Sequence, residues 1–120
     1  MKYMIMTFGS AEQALATMGK EWMLEMFQFM KTLDEDLRKS GELVSEEGLA
    51  DASQAKTVRF VNGISVATDG PFAESKESLV GYWIVDVESE ARAIEIASRI
   101  VDFVKVPIEV RPVMDAPPDL

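Results

Sequence analysis

The chain has 120 residues, of which 48% are hydrophobic and 28% are charged, a balance typical of one ordinary globular domain. It contains no cysteine and no histidine. This excludes disulfides, thiolate chemistry, an imidazole base and histidine-ligated zinc in any assembly of this chain alone. The net charge of −9 and the scattered placement of the 12 lysines and arginines argue against nucleic acid or an anionic membrane as a partner.

The amino-terminal segment and the lengths of the apolar runs indicate a cytoplasmic protein. Residues 1–6 carry a single charged side chain and pass directly into a strand pattern without a small-residue cleavage site, unlike a secretory signal peptide. Every apolar run is far shorter than the ~20 residues that a membrane helix needs. We expect one domain over residues 1–114 and a loose tail over residues 115–120.

The first part of the chain predicts a strand followed by two helices. Alternation over Tyr3–Phe8 predicts a strand. A capping box at Ser10–Gln13 predicts a short helix that ends near Gly19. A long helix is expected from about Lys20 to Lys39, with Gly41 as its left-handed terminus. Its expected core stripe consists of Met23, Met26, Phe27, Met30, Leu33 and Leu37, widened by Trp22 and Phe29.

The second part predicts a hairpin, a strand, a helix and a final strand, after a weak strand signal between Leu43 and Leu49. Asn62-Gly63 between two β-rich runs predicts a two-residue hairpin with Val61 opposite Ile64 and Arg59 opposite Val66. The later elements are expected to be a strand at Leu79–Val87, a helix that Ser89 or Glu88 opens and that runs through about Val104, and a final strand at Val106–Val113. The core face of that helix is expected to comprise Ala93, Ile94, Ala97, Ile100, Val101 and Val104.

This order of elements is typical of an α+β, ferredoxin-like fold, a split β-α-β sheet with two helices on one face. The hairpin is expected either to supply one of the four strands or to extend the sheet. The strand Leu79–Val87 is apolar on both sides, with Val80, Tyr82 and Ile84 on one side and Trp83 and Val85 on the other. We therefore expect a homodimer that packs the second face against its copy as an α+β barrel. The alternative is a monomer in which the hairpin or the short helix covers that face.

Residues 68–77 are the segment best suited to carry chemistry. Asp69-Gly70-Pro71 is a turn sequence, followed by Phe72 as an apolar anchor. Asp69 could act as a general base or bind a ligand amine or a metal, or it could bond nearby turn amides. Glu74 and Lys76 could form an acid–base pair if they are buried, or an ordinary solvated ion pair.

Three further side chains are candidates for ligand binding. Arg59 and Arg111 could each clamp a carboxylate, or could face water or bridge to a glutamate. Tyr82 could donate its hydroxyl in a pocket, or could be a core residue with one satisfied bond. The sequence has no EF-hand spacing and no glycine-rich phosphate loop, so we expect no metal and no cofactor.

The run DGPFAESKE, from Asp69 to Glu77, resembles the signature of the DGPF family of YCII-related domain proteins, in which threonine usually stands at the position of Ser75. The opening MKYM and the closing EVRPVM are similar to the ends of that family. The resemblance implies a dimeric α+β barrel with a cleft beside the turn that is regarded as the active site. In the wider family a His-Asp pair is the proposed acid–base couple and a dehydrochlorinase-like activity is known; this chain has no histidine to supply that couple.

Two functional hypotheses follow, and a third stays open. The first is a small-molecule-binding protein or an enzyme of lyase or isomerase type, with Asp69 as the base and Lys76 as its electrostatic helper. Its ligand-binding residues would be Gly70, Pro71, Phe72, Glu74, Arg59, Arg111 and Tyr82. The second is a non-catalytic interaction or regulatory module whose acidic surface binds a basic protein partner. The family resemblance implies a link between such a module and an extracytoplasmic-function sigma factor. The third is a relative that keeps only the fold.

Overall fold

The computed structural model describes residues 1–72 and 77–119, and within them the chain forms an α+β structure with antiparallel sheets. A 3₁₀ turn spans Ala52–Gln54. The element bounds are β1 (Lys2–Phe8), α1 (Ala11–Met18), α2 (Lys20–Ser40), β2 (Leu43–Gly48), β3 (Lys56–Val61), β4 (Ile64–Asp69), β5 (Leu79–Asp86), α3 (Glu90–Val104) and β6 (Glu109–Pro112). The predicted elements are confirmed, although the last strand is shorter than expected.

The helix ends follow from local capping. The Ser10 hydroxyl oxygen accepts a hydrogen bond from the Gln13 amide at the start of α1, and Ser89 does the same for the Arg92 amide at the start of α3. Gly41 adopts the left-handed conformation at the end of α2, as its position predicted.

A four-stranded antiparallel sheet in the order β2-β5-β1-β6 forms the body of the molecule. In register, Ile5 of β1 lies opposite both Trp83 of β5 and Val110 of β6. Both long helices contribute to one core on one face of this sheet, where Leu33, Leu37, Ile96 and Ile100 are fully buried. This arrangement is compatible with the ferredoxin-like fold that the sequence predicted.

The opposite face of the sheet, called the open face below, carries the other set of alternating side chains. Met4 pairs with Ile84 across β1 and β5, and Met6 pairs with Tyr82. These side chains are half-buried, whereas Ile5 and Val85 on the helix side are fully buried. The centre of the open face is therefore apolar and partly accessible in the single chain, while Arg111 and Glu109 of β6 and Glu47 of β2 place charged side chains at its margins.

The buried apolar stripes of α2 and α3 are narrower than the sequence predicted. Phe27 of α2 is 56% exposed and Ile94 of α3 is 51% exposed, so their assignment to the core was wrong. At about 100° per residue, Phe27 lies roughly 80° around the helix from the buried Leu37, and Ile94 lies roughly 120° from the buried Ile100. The inward position on α3 belongs to Ile96, which is fully buried.

The β3–β4 hairpin does not join the main sheet, so the expectation that it would supply or extend a strand of that sheet was wrong. Its two strands pair only with each other, as a separate two-stranded sheet. The predicted register is confirmed, with Val61 opposite Ile64 and Arg59 opposite Val66. The place beside β5 is taken by β2, which completes the four strands.

A bidentate ion pair joins the α2–β2 connection to α3. Two nitrogens of the Arg92 guanidinium donate to the two Glu42 carboxylate oxygens, each at 2.8 Å, and the side chains are only 29% and 17% exposed. The Ser40 hydroxyl donates to the same carboxylate at 2.7 Å. These hydrogen bonds, those from Arg92 above all, lower the pKa of Glu42 to about 2.

Substitution Glu42→Gln should destabilise the protein in a pH-dependent way. Because the pKa of Glu42 is lower in the folded state than its ordinary 4.5, the stability it contributes is present above about pH 4.5 and is lost as the pH falls toward 2. We expect a loss of about 1–2 kcal/mol in the free energy of unfolding at neutral pH, shrinking toward zero near pH 2.

Denaturant unfolding at fixed protein concentration measures this difference. The control is Asp36→Asn, which removes the more exposed pair between Arg99 of α3 and Asp36 of α2 and should cost less than ~1 kcal/mol at neutral pH. A Glu42→Gln deficit of constant size from neutral to acid pH would contradict the assignment.

Candidate functional site

The turn after β4 is held rigidly against the start of β3. The Thr57 hydroxyl donates to the Gly70 carbonyl and the Gly70 amide donates to the Ala55 carbonyl, both at 2.9 Å. Lys56 pairs with Asp69 across the last register position of the hairpin. Gly70 has φ +100°, a conformation that side chains strongly disfavour. The turn sequence is therefore matched to a fixed geometry.

A cleft of about 450 Å³ lies beside this turn. Its walls come from the end of β1, from the segment between β2 and β3, from the turn and from the start of β5. The lining is mainly apolar and includes Phe8, Leu49, Ala55, Pro71, Phe72 and Leu79. Phe72 is 87% exposed, which places an apolar ring at the cleft in contact with solvent.

Asp51 supplies the cleft with an oriented carboxylate. One of its oxygens accepts the Ser53 amide at 3.0 Å, and the other accepts the Ser10 hydroxyl at 3.5 Å. The hydrogen bonds from Ser53, followed by that from Ser10, lower the pKa of Asp51. The group is consequently an anion at neutral pH and a weak proton acceptor, which suits binding of a cation or an N–H donor better than proton abstraction.

Asp51 was not predicted from the sequence as a site residue. The available signal was Asp51-Ala52-Ser53, because an aspartate often bonds the amide two residues on. That signal predicts a local turn, and it carries no information about the β1 and β5 residues that form the rest of the cleft.

Several residues of the predicted site do lie together. Pro71 and Phe72 line the cleft, and Gly70 fixes the turn that carries them. The side chain of Asp69 is 90% exposed and paired with Lys56, and it does not contribute to the cleft lining within the described residues. Its role as a base stays a prediction. Glu74 and Lys76, with Ser75 of the signature, lie outside the described residues.

The other three candidates lie away from the cleft. Arg59 is exposed on β3, whereas Tyr82 of β5 and Arg111 of β6 both lie on the open face, where Arg111 is opposite Met4 and pairs with Glu109 at 2.6 Å. The structure does not bring these side chains to the described lining of the cleft, so their roles in ligand binding also stay predictions.

Two acidic residues outside the cleft, Glu46 and Asp34, lie next to Trp83 of the core. Burial, together with the nearby charges of Asp34 and Glu47, raises the pKa of Glu46, which faces Trp83 across β2 and β5. The Trp83 indole N–H donates to the Asp34 carboxylate at 2.8 Å.

Among residues 1–72 and 77–119, no three or more acidic side chains cluster in a way that could hold a metal ion, and no helix has both the length and the apolarity to cross a bilayer.

A family model for the YCII-related domain matches residues 1–116. The chain belongs to the YCII-related domain family. An uncharacterised protein of Rhizobium meliloti (strain 1021) is similar to it, with 27% identity over 97 residues that cover 81% of this chain and 77% of that protein. The match to the YCII-related domain model spans all of the cleft-forming segments, and the Rhizobium relative is itself uncharacterised.

Substitution Gly70→Ala should weaken this YCII-related domain at the turn. At φ +100° a Cβ strains the backbone even though nothing lies within 4 Å of its position. We expect a loss of about 1–2 kcal/mol in the free energy of unfolding. The matched control is Gly48→Ala, also in open space but without a positive φ, which should be close to neutral. Equal effects in denaturant unfolding would contradict the strained turn.

Proposed function

We propose that this YCII-related domain protein is a homodimer that binds a small, mainly apolar molecule in the cleft beside the Asp69–Phe72 turn. The observation that carries the proposal is the combination of a mainly apolar lining with an oriented carboxylate, Asp51, in a cleft whose lining also includes the acidic residue Glu77. Ligand sites are typically concave, mostly apolar and equipped with a few fixed polar groups.

The chemistry of the cleft favours a ligand with an apolar body and an amine or another N–H donor. Two hydrogen bonds orient the Asp51 carboxylate and leave further lone pairs for a ligand. A charge-assisted hydrogen bond to an ammonium group is roughly twice as strong as a neutral one. The apolar walls, including Phe8, Pro71 and Leu79, would take the hydrocarbon part.

The dimer is supported by the open face. The two long helices build the core on the other side of the sheet, and Met4, Met6, Tyr82 and Ile84 remain only half-buried. A contiguous apolar surface of this kind usually marks an interface. A second copy presents an identical face, so two-fold packing would cover both.

Fewer observations support the other two functions, a lyase- or isomerase-type reaction and a link to a sigma factor. A lyase- or isomerase-type reaction with Asp69 and Lys76 stays a prediction, because Asp69 is outside the described lining of the cleft and Lys76 is outside the described residues. The link to a sigma factor rests on the family resemblance alone.

Substitution Asp51→Asn should selectively weaken amine binding. The probes are aryl- and alkylamines, each paired with the alcohol of the same carbon skeleton, and binding is measured by melting shifts and calorimetry. We expect Asp51→Asn to lower amine affinity by about tenfold and to leave alcohol affinity within about twofold. Asparagine also caps a turn, so the fold should persist.

The control is Asp69→Asn, which leaves the described lining of the cleft unchanged and should not alter amine affinity. Loss of binding in Asp69→Asn but not in Asp51→Asn would transfer the role to the turn carboxylate that the sequence indicated. If no amine shifts the melting of the unsubstituted protein, the proposed ligand class is wrong.

Substitution Ile84→Glu should weaken the dimer, because it places a charge on the open face. We expect the dimer Kd from sedimentation velocity to rise by at least about tenfold. The matched control is Ile94→Glu, at a half-exposed position on α3, which should leave the Kd unchanged. A monomeric unsubstituted protein at micromolar concentration would refute the dimer itself.

A further inference from the structure

The β3–β4 hairpin, residues 56–69, is an unusually apolar surface element and is called the arm below. Phe60 is 78% exposed, Val58 69% and Ile64 63%. Val58 and Phe60 share one face of the arm, while Val61 and Ile64 form a cross-strand pair on the other. An isolated two-stranded hairpin is marginally stable in water, so an arm of this composition needs a surface to pack against.

The arm is nevertheless built as a defined element. Its register runs without a shift from the Lys56–Asp69 pair to the Val61–Ile64 pair. Asn62 and Gly63 have φ values of 50° and 84°, as a tight hairpin turn requires. At its base, the hydrogen bonds among Ala55, Thr57 and Gly70 join the two ends of the hairpin. The arm is thus a preformed projection rather than a loose loop.

The dimensions of the chain agree with a projecting arm. The radius of gyration is 16.6 Å and the extents are 50 × 48 × 20 Å. A compact domain of this length has a radius of gyration of roughly 14 Å. The single chain is therefore flatter and more extended than a compact domain that buries its own apolar surface.

The distribution of charge along the chain favours the body of a second copy as the surface that the arm contacts. From Thr57 to Thr68 the only charged residue is Arg59, although the whole chain has 21 acidic residues and a net charge of −9. The residues outside the arm therefore carry all of the negative net charge. The arm is electrostatically complementary to the body of a second copy of this chain. Arg59 lies on the arm face opposite Val58 and Phe60, so it adds positive charge to the arm as a whole, while Glu47 is exposed on the β2 margin of the open face.

We propose that the arm of one protomer packs its Val58–Phe60 face across the β2 margin of the partner's open face, with Val58 and Phe60 supplying the apolar contact and the absence of acidic residues between Thr57 and Thr68 avoiding repulsion from the acidic margin. The inference rests on the proposed homodimer and adds an interaction to it. It also ties dimerisation to the ligand site, because Ala55 and Pro71 flank the base of the arm and line the cleft. The contact that each arm makes with the partner would therefore also stabilise the cleft wall of its own protomer.

The first test removes the apolar contact. The double substitution Val58→Ser with Phe60→Ser should raise the dimer Kd by at least about tenfold in sedimentation velocity. The control is Leu24→Ser with Phe27→Ser, two α2 residues that are each 56% exposed, and it should change the Kd by less than about twofold. Circular dichroism and melting verify that both variants are folded.

Two results would overturn the proposal: an arm variant whose Kd stays within about twofold of the unsubstituted protein, or equal weakening by the arm and control pairs. Its failure is distinguishable from that of the proposed function. A dimer that is sensitive to Ile84→Glu but insensitive to the arm substitutions would retain the open-face dimer and refute only the arm contact.

The second test locates the contact and uses the absence of native cysteine. One preparation carries only Ser65→Cys, opposite Phe60 on the arm, and the other only Ser45→Cys, opposite Ile84 on the open face. After subunit exchange, a flexible bis-maleimide should link the two preparations into a heterodimer. The control pairs Ser65→Cys with Ser98→Cys on exposed α3 and should give little product. Equal yields from both pairs would overturn the placement.

Discussion

The structure depends on β5, a central strand that is apolar on both faces. Trp83 and Val85 close the core beneath α2 and α3, while Tyr82 and Ile84 point the opposite way. Because side chains alternate along a strand, one helical layer can cover only one of these two sets. The four-stranded sheet and its two long helices therefore fill one core and still present a second face with an apolar centre. That surplus surface is the physical basis for proposing a second copy.

The cleft arises where the regularity of the sheet ends. The β1–β5 register shifts between Thr7 and Phe8, and Phe8 and Leu79, which pair beyond the shift, both line the cleft. A local irregularity in a ladder redirects side chains and ends regular pairing. Asp51 approaches from the segment before β3, held by a bond within its own turn and a longer one to Ser10. The site thus combines an apolar hollow made by the sheet with a carboxylate placed by a loop.

The arm and the cleft share a structural boundary. The hydrogen bonds that join Thr57, Gly70 and Ala55 fix both the start of the hairpin and one wall of the cleft. A force on the arm would therefore be transmitted to the turn that carries Pro71 and Phe72. In a dimer held partly by its arms, ligand binding and association would be coupled through this base, because each would favour the same turn geometry.

The sequence by itself determined the local features of this protein: the Ser10 and Ser89 caps, the left-handed Gly41, and the hairpin register around Asn62-Gly63. These depend on interactions between residues a few positions apart, so composition and spacing suffice to predict them. It also determined that no histidine could serve as a base. Only the tertiary structure decided that the hairpin leaves the main sheet, that Phe27 and Ile94 face solvent, and that Asp51 rather than Asp69 contributes to the described lining of the cleft. Each of these depends on which distant segments occupy neighbouring positions, and that is settled by packing over the whole chain rather than by local pattern.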